Sequence, residues 1–592
     1  MKHLFAFVAT ALALSPVLCA APAPADATKA LHALFDQEWD YTMEQNPTWA
    51  SSLGDRRWND RWEDASLEAN AKNEAHARAT LEALLKIDRA NLSPADQLNY
   101  DLFRKDAETD IAGFKFRMHL LPINQRGGVQ TADELGERLR FQTVKDYEDW
   151  IARLRAFPPL MDQTIALMRE GVKAKVLWPR VVLERVPAQI DKQIVPDPEE
   201  SPFFKPLTKF PNELSTVDRD RLAKEAREAI DQAVIPSFEK LKRYFVDEYL
   251  PASFPQIGVW QMPEGAELYT FLAKRFTTTD LTPRQIHEKG LSEVARIRSE
   301  MEAIMKKVGF TGTRQEFFTK LRTDPQFFYK TPEELLEAYR AMAKRIDPNL
   351  VKVLKTLPRM PYGVIPIPDK IAPDTTTAYY SQPAADGSRA GHYYVNLYKP
   401  ETRPKWEMMA LSLHEAVPGH HLQIALAQEL GDIPKFRRFG GYTAFVEGWG
   451  LYSESLGEDM GLYDDPYAKF GQLTYEMWRA VRLVVDTGMH AMKWDRQKAI
   501  DYFMENAPKA ENDIVNEIDR YISMPGQALA YKIGELKIKE LRARAKQELV
   551  ENFDLREFHD TVLLSGAVPL DILERNINAW IASKKGGAPP KP

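Results

Sequence analysis

Two histidines and a glutamate fall close together in Leu411-Ser-Leu-His414-Glu415-Ala-Val-Pro418-Gly419-His420-His421-Leu-Gln423. A histidine pair with a glutamate beside it is how a protein builds a zinc site with its own general base. The usual spacing is H-E-x-x-H on one helical face. Here the fourth position after His414 is Pro418, and the next histidine is His420. Proline cannot donate to the His414 carbonyl, so the helix must open there, and Gly419 tolerates the backbone angles of the opening. On an unbroken helix His420 would point about 120° away from His414. A local bulge that absorbs two residues returns it to the same side. His421 keeps the His414 face of an unbroken helix but lies about 10 Å further along it. That is too far to share one ion at bonds of about 2.0–2.1 Å. The ligand pair is therefore read as His414 and His420, with His421 in the surroundings of the site.

The competing reading is a kinked, buried helix with incidental histidines. Against it stands Phe445-Val-Glu447-Gly448-Trp449-Gly-Leu-Tyr452-Ser-Glu454. A catalytic zinc held by two histidines and one glutamate takes that carboxylate from a following helix, and keeps a fourth position for water. Glu447 is the expected third ligand. Zinc (Zn2+) there would bring its water to a pKa of about 7 and polarise a carbonyl. Glu415, beside a ligand but not binding, would take the water proton and return it to the leaving amine. Glu454 is placed to orient a ligand histidine.

These residues also carry a family resemblance. His414-Glu415-x-x-Pro418-Gly419-His420, Glu447-Gly448-Trp449, Arg479-x-x-Arg482-Leu-Val-Val-Asp486-Thr-Gly488-Met-His490, Arg520-Tyr521 and Pro525-Gly526-Gln527-Ala-Leu-Ala-Tyr531-Lys532-x-Gly534 resemble the bacterial domain-of-unknown-function family 885 (DUF885). The resemblance runs from about Phe35 to Ile581. That family resembles helical zinc peptidases of the gluzincin type, such as the oligopeptidases and angiotensin-converting enzyme. The resemblance implies that Tyr531 and His490 stabilise the developing oxyanion, although a core role for Tyr531 stays open. Arg479 and Arg482 lie on one helix face near Asp486, either as an ion-pair network or as a clamp for a peptide's terminal carboxylate. Gln527 is a further candidate substrate contact.

The elements that must position these groups read mainly as helices. Leu31, Leu34, Phe35 and Trp39 recur at helical spacing. Ser93-Pro94 and Thr282-Pro283 are helix starts. His287-Glu288 lacks a histidine partner at metal spacing and reads as a surface helix. Just before the metal helix, Tyr379-Tyr380 and Gly391-His392-Tyr-Tyr394-Val-Asn396 read as a short hairpin around Asp386-Gly387-Ser. In related peptidases an edge strand here pairs with substrate. Tyr394 and Asn396 are then substrate contacts; otherwise the hairpin is structural.

At 592 residues the chain has room for two to four domains or one large helical body. A net charge of −6 gives no case for nucleic acid or an anionic membrane. After the N-terminus, no apolar run reaches the ~18 residues of a transmembrane helix. Residues 1–20 read as an export signal cleaved after Ala20, with lipid attachment at Cys19 the less favoured route. Residues 21–30 read as a disordered leader, 31–365 as a helical part, 366–585 as the zinc part and 586–592 as a disordered tail. Cleavage leaves a mature chain without cysteine, so no disulfide supports it in the periplasm or outside the cell.

The expectation is a large, mainly α-helical body with a deep central cleft and the hairpin at its rim. Its expected activity is zinc-dependent hydrolysis of short peptides. The alternatives are a silent envelope binding protein on the same frame and a zinc hydrolase of non-peptide amides. The intact Glu415 speaks against the silent form.

Overall fold

The computed structural model describes residues 24–586, apart from 370, 371, 375, 385, 386, 388 and 432. The export signal, Cys19, most of the Asp386-Gly387-Ser turn and the tail beyond Gly586 lie outside the described residues. Helix accounts for 71% of the chain and strand for 3%, so the fold is mainly α as expected.

The first helix, α1, spans Pro24–Gln45, so the leader expected over 21–30 is helical from Pro24 onward. The reason is burial: Ala27 packs with Leu31, Phe35, Leu84 and Tyr100 in a small apolar cluster. Residues 27, 31 and 35 are one helical face. Ser93 accepts from the Asp96 N–H, with Pro94 in the first turn. Helix α2, Pro283–Lys307, begins with a reciprocal cap between Thr282 and Gln285.

Behind the site run α3 (Met408–Glu415), α4 (His420–Glu429), α5 (Thr443–Met460), α6 (Pro466–Ala491), α7 (Glu511–Ser523) and α8 (Ala530–Leu549). α2 lies along α6, and a Cβ at Gly290 would sit 2.8 Å from Leu483 and Val484 side chains. This overturns the surface reading of His287. It is buried, and its Nδ1 pairs with the Thr487 hydroxyl at 2.8 Å. One apolar core extends from Leu102 to Ile581 and joins both halves of the chain.

The strands form one sheet in the order β1 (Tyr362–Pro366), β3 (Gly391–Val395), β2 (Ala378–Ser381). β2 and β3 are the antiparallel pair expected as a hairpin, with Tyr379 opposite Tyr394. β1 adds a parallel neighbour to β3, with Ile365 opposite Tyr394. It also crosses the boundary expected at 365/366. β3 is therefore the central strand, hydrogen-bonded on both sides, and cannot add a substrate strand. The free edge of the expected hairpin is therefore β2, not the strand of Tyr394.

Candidate metal centre

The run around Pro418 does not bulge; it breaks. α3 stops at Glu415, Ala416 leaves helical geometry at φ −99° and ψ −107°, and α4 restarts at His420. The break turns the two histidine rings onto each other, with centroids 4.7 Å apart at 86°. Glu447 reaches in from α5, its Oε2 3.7 Å from His414 Nε2 and 3.4 Å from His420 Nε2.

These separations are too long for hydrogen bonds. Two ligands of a tetrahedral zinc at about 2.0–2.1 Å each stand roughly 3.3 Å apart. All three residues offer donor atoms within 4.8 Å of one another. Two imidazole nitrogens and a carboxylate oxygen are a zinc donor set. His420 and Glu447 keep 11% and 21% of their side chains exposed, leaving a route to solvent.

The three residues after Glu447 explain how α5 can stand so close. A Cβ at Gly450 would lie 2.9 Å from His414 Cε1 and 3.1 Å from His420 Cε1, so only glycine leaves the rings their place. The Trp449 indole N–H donates to the Pro418 carbonyl at 2.8 Å and holds the break. Gly448 meets Gly534 of α8, where a Cβ would stand 2.6 Å from the Gly534 Cα. That close helix crossing sets Tyr531, one turn before Gly534, on the Glu447 side. Sequence reasoning quoted Gly448-Trp449 as a motif but missed these roles; two glycines flanking a tryptophan inside a helix are the signal it had.

Glu454 sits where it was expected. It is fully buried and accepts from the His414 Nδ1–H at 2.8 Å, which turns Nε2 toward Glu447 as the binding nitrogen. Behind it Arg479 approaches to 3.7 Å. Burial opposes a proton on His414, but Glu447 and Glu454 outweigh it and lift its pKa to about 9. The same two histidines hold the Glu447 carboxyl well below its usual range against the effect of burial. Glu454→Gln is expected to weaken zinc binding by roughly 10–100-fold without unfolding the chain. Competition with a zinc-chelating dye measures this.

Glu415 follows His414 at the end of α3. Burial raises its carboxyl pKa, while His414 and His420 pull it down. Burial, then the Glu447 charge, likewise raises the Tyr531 hydroxyl against the pull of Arg482 and Arg520. Tyr531 therefore keeps its proton. Gln527 stands between Arg520, whose Nη1 it accepts at 2.8 Å, and the Tyr531 hydroxyl at 3.5 Å.

Two other expected contacts, His490 and Asn396, prove structural. His490 is buried with both ring nitrogens used: Nδ1 accepts from the Val259 N–H at 3.2 Å, and Nε2 donates to the Tyr521 carbonyl at 3.0 Å. It has no nitrogen left for an oxyanion. Asn396 is buried, donating to the Ala372 and Thr376 carbonyls and accepting from the Tyr398 N–H, so it ties loops rather than substrate. Tyr394 stacks on Tyr379 at 4.7 Å.

His421 bonds the Tyr380 hydroxyl at 2.9 Å and the Met360 carbonyl at 3.0 Å, so it fastens α4 to the sheet. Arg479 backs Glu454. Arg482 lies under the Tyr531 ring at 4.4 Å, donating to the Tyr521 hydroxyl at 2.7 Å and Glu517 at 3.1 Å. Both arginines thus take part in the ion-pair network that was one of the two readings. Asp486 is no partner of theirs: it accepts from the Tyr269 hydroxyl at 2.5 Å and the Gly526 N–H at 3.1 Å.

Among known proteins, the bacterial family of unknown function DUF885 matches residues 47–577. A crystal structure of a "putative lipoprotein" from Colwellia psychrerythraea is similar at 31% identity and TM-score 0.89, over 94% of this chain and 99% of that one. A "putative lipoprotein of unknown function" from Shewanella oneidensis shares the fold at 18% identity and TM-score 0.72, over 93% of this chain and 99% of that one. No curated protein matches the chain.

Proposed function

The chain belongs to DUF885, a bacterial family of unknown function, and for it we propose zinc-dependent hydrolysis of short peptides. One observation carries the reading: His414, His420 and Glu447 bring their donor atoms together beside Glu415. Bound zinc supplies Lewis acidity toward a carbonyl and makes water acidic enough to ionise near neutral pH. His414 Nε2, His420 and Glu447 would hold the ion, and Glu454 would fix the His414 tautomer. Glu415 takes the proton of the attacking water and returns it to the leaving amine. A buried carboxylate of raised pKa suits both steps. Tyr531, protonated and set between Glu447 and the arginines, donates to the oxyanion.

The test is cleavage of a mixed library of short peptides by the zinc-loaded wild type, read by mass spectrometry. Cuts that a chelator stops and added zinc restores are the expected result. A chain that holds zinc and cuts no peptide leaves the envelope-binding alternative in place.

The same reading places the protein in the cell envelope. The similar protein from Colwellia psychrerythraea is described as a "putative lipoprotein", which favours Cys19 more than the sequence alone does. No helix among the described residues is long and apolar enough to cross a membrane. The mass of the mature N-terminus decides between Ala21 and a lipid-modified Cys19; retention of residues 1–20 contradicts both.

A further inference from the structure

Two guanidinium groups stand by Tyr531, and a third, from the first half of the chain, is held beside them on α7. Arg482 lies under the ring at 4.4 Å, and Arg520 reaches the hydroxyl through Gln527. The third is Arg126, at the tip of a tight loop closed by the Asn124 N–H on the Gly127 carbonyl at 3.0 Å. The Arg126 N–H donates to Asn124 Oδ1 at 2.8 Å. The neighbouring Gln125 donates to the Asp519 carbonyl at 3.0 Å and the Ser523 hydroxyl at 3.1 Å. Both acceptors lie on α7, the helix of Glu517, Arg520 and Tyr521. A second tie, from Gln189 to the Gln125 carbonyl at 2.9 Å, fixes the loop from behind.

The loop therefore holds Arg126 against α7 while its side chain stays accessible. Partial desolvation on α7, then the like charge of Arg520, lowers its pKa, whereas Glu517 and Tyr531 raise it.

The counter-charge does not balance. Glu517 already serves Arg482 at 3.1 Å, Arg520 at 3.0 Å and the Tyr521 hydroxyl at 2.6 Å. Asp486 is engaged by Tyr269 and the Gly526 N–H, and burial lifts its pKa to about 7. Glu447 belongs to the metal donor set. Among the described residues no carboxylate bonds Arg126, and buried Arg482 Nη1 has no hydrogen-bond partner. Buried Arg482 and Arg520 share the single Glu517 carboxylate, so with Arg126 beside them the cluster keeps a net positive charge that an anionic ligand group can meet. A planar guanidinium pairs best with a carboxylate through two parallel bonds.

We propose that Arg126, with Arg520 beside it, anchors the free C-terminal carboxylate of the substrate, so that the enzyme works inward from the C-terminal end of short peptides. The proposal rests on the hydrolase reading for its substrate but not for its binding test. Arg126 acts from the opposite half of the chain, so the site is completed across the two halves. Arg479 and Arg482, the arginines singled out in the sequence, hold the machinery that the anchor works beside.

The experiment uses the full chain carrying Glu415→Gln and loaded with zinc, so that binding is read without turnover. Acetyl-pentaalanine with a free carboxylate and the same peptide as its C-terminal amide are titrated by calorimetry. The free acid is expected to bind about tenfold or more tightly than the amide, the scale of a charge-assisted pair. Adding Arg126→Gln should bring the acid down to the amide and leave the amide unchanged. Equal binding of the two peptides, binding of neither, or an Arg126→Gln effect that is the same on both overturns the proposal.

Cleavage by the wild type separates the two claims. Preference in binding without any cleavage keeps the anchor and removes the hydrolase. Equal cleavage of acid and amide keeps the hydrolase and removes the anchor.

Discussion

Glu415→Gln is expected to lower peptide hydrolysis by at least about a hundredfold while the chain keeps its fold and its zinc. General-base catalysis contributes roughly 10²–10⁴ in rate. Glutamine has the shape of glutamate but cannot accept the water proton. The ligands lie on either side of Glu415 and on α5, so the substitution touches none of the three. Its carboxyl is raised by burial, so losing the charge costs the fold little. Tyr531→Phe is expected to lose less, because bound zinc would still supply Lewis acidity at the carbonyl when the phenol is gone. Steady-state rates on one cleaved peptide, with zinc measured on the same samples, check both. Full activity in zinc-bearing Glu415→Gln contradicts the mechanism.

The second large effect is at the metal itself. His420→Ala is expected to empty the site and abolish hydrolysis, whereas His421→Ala should keep both. The two histidines are adjacent in sequence but face different partners. His420 turns its ring to His414 and Glu447, and His421 bonds Tyr380 and Met360. Burial holds the His421 pKa near 4, so it stays neutral and structural at working pH. Its loss should loosen the sheet and lower thermal stability rather than release metal. Elemental analysis of the two variants after dialysis reads the difference. Zinc retained by His420→Ala and lost by His421→Ala contradicts the assignment.

The grouping of His414, His420 and Glu447 was legible because proline and glycine are local signals. Pro418 forbids the turn that would carry a histidine at the usual spacing, and Glu447 follows on the next long helix. What the sequence could not show was how the chain turns: a complete break at Ala416, not a bulge, brings His420 round. Glu454 was legible for a similar reason, being on the same helix as Glu447.

The failures share a cause. His490 was lost to the Val259 N–H, 231 residues away, and to a carbonyl on α7. Such backbone partners leave no mark at the histidine. Asn396 looked like a substrate contact at a strand end, yet it bonds loop carbonyls at 372 and 376. The third strand, Tyr362–Pro366, went unread because it is short and partly buried without clear alternation. Arg126 carries no motif; only the fold brings it to α7.

The central claim is that two imidazoles and one carboxylate of this chain hold a zinc ion, and it is tested most directly by X-ray absorption at the zinc edge on the wild type. The account predicts one zinc per chain, with two imidazole nitrogens at about 2.0–2.1 Å and the rest of the shell oxygen. A chain that retains no zinc, or a zinc bound by fewer than two imidazoles, contradicts it.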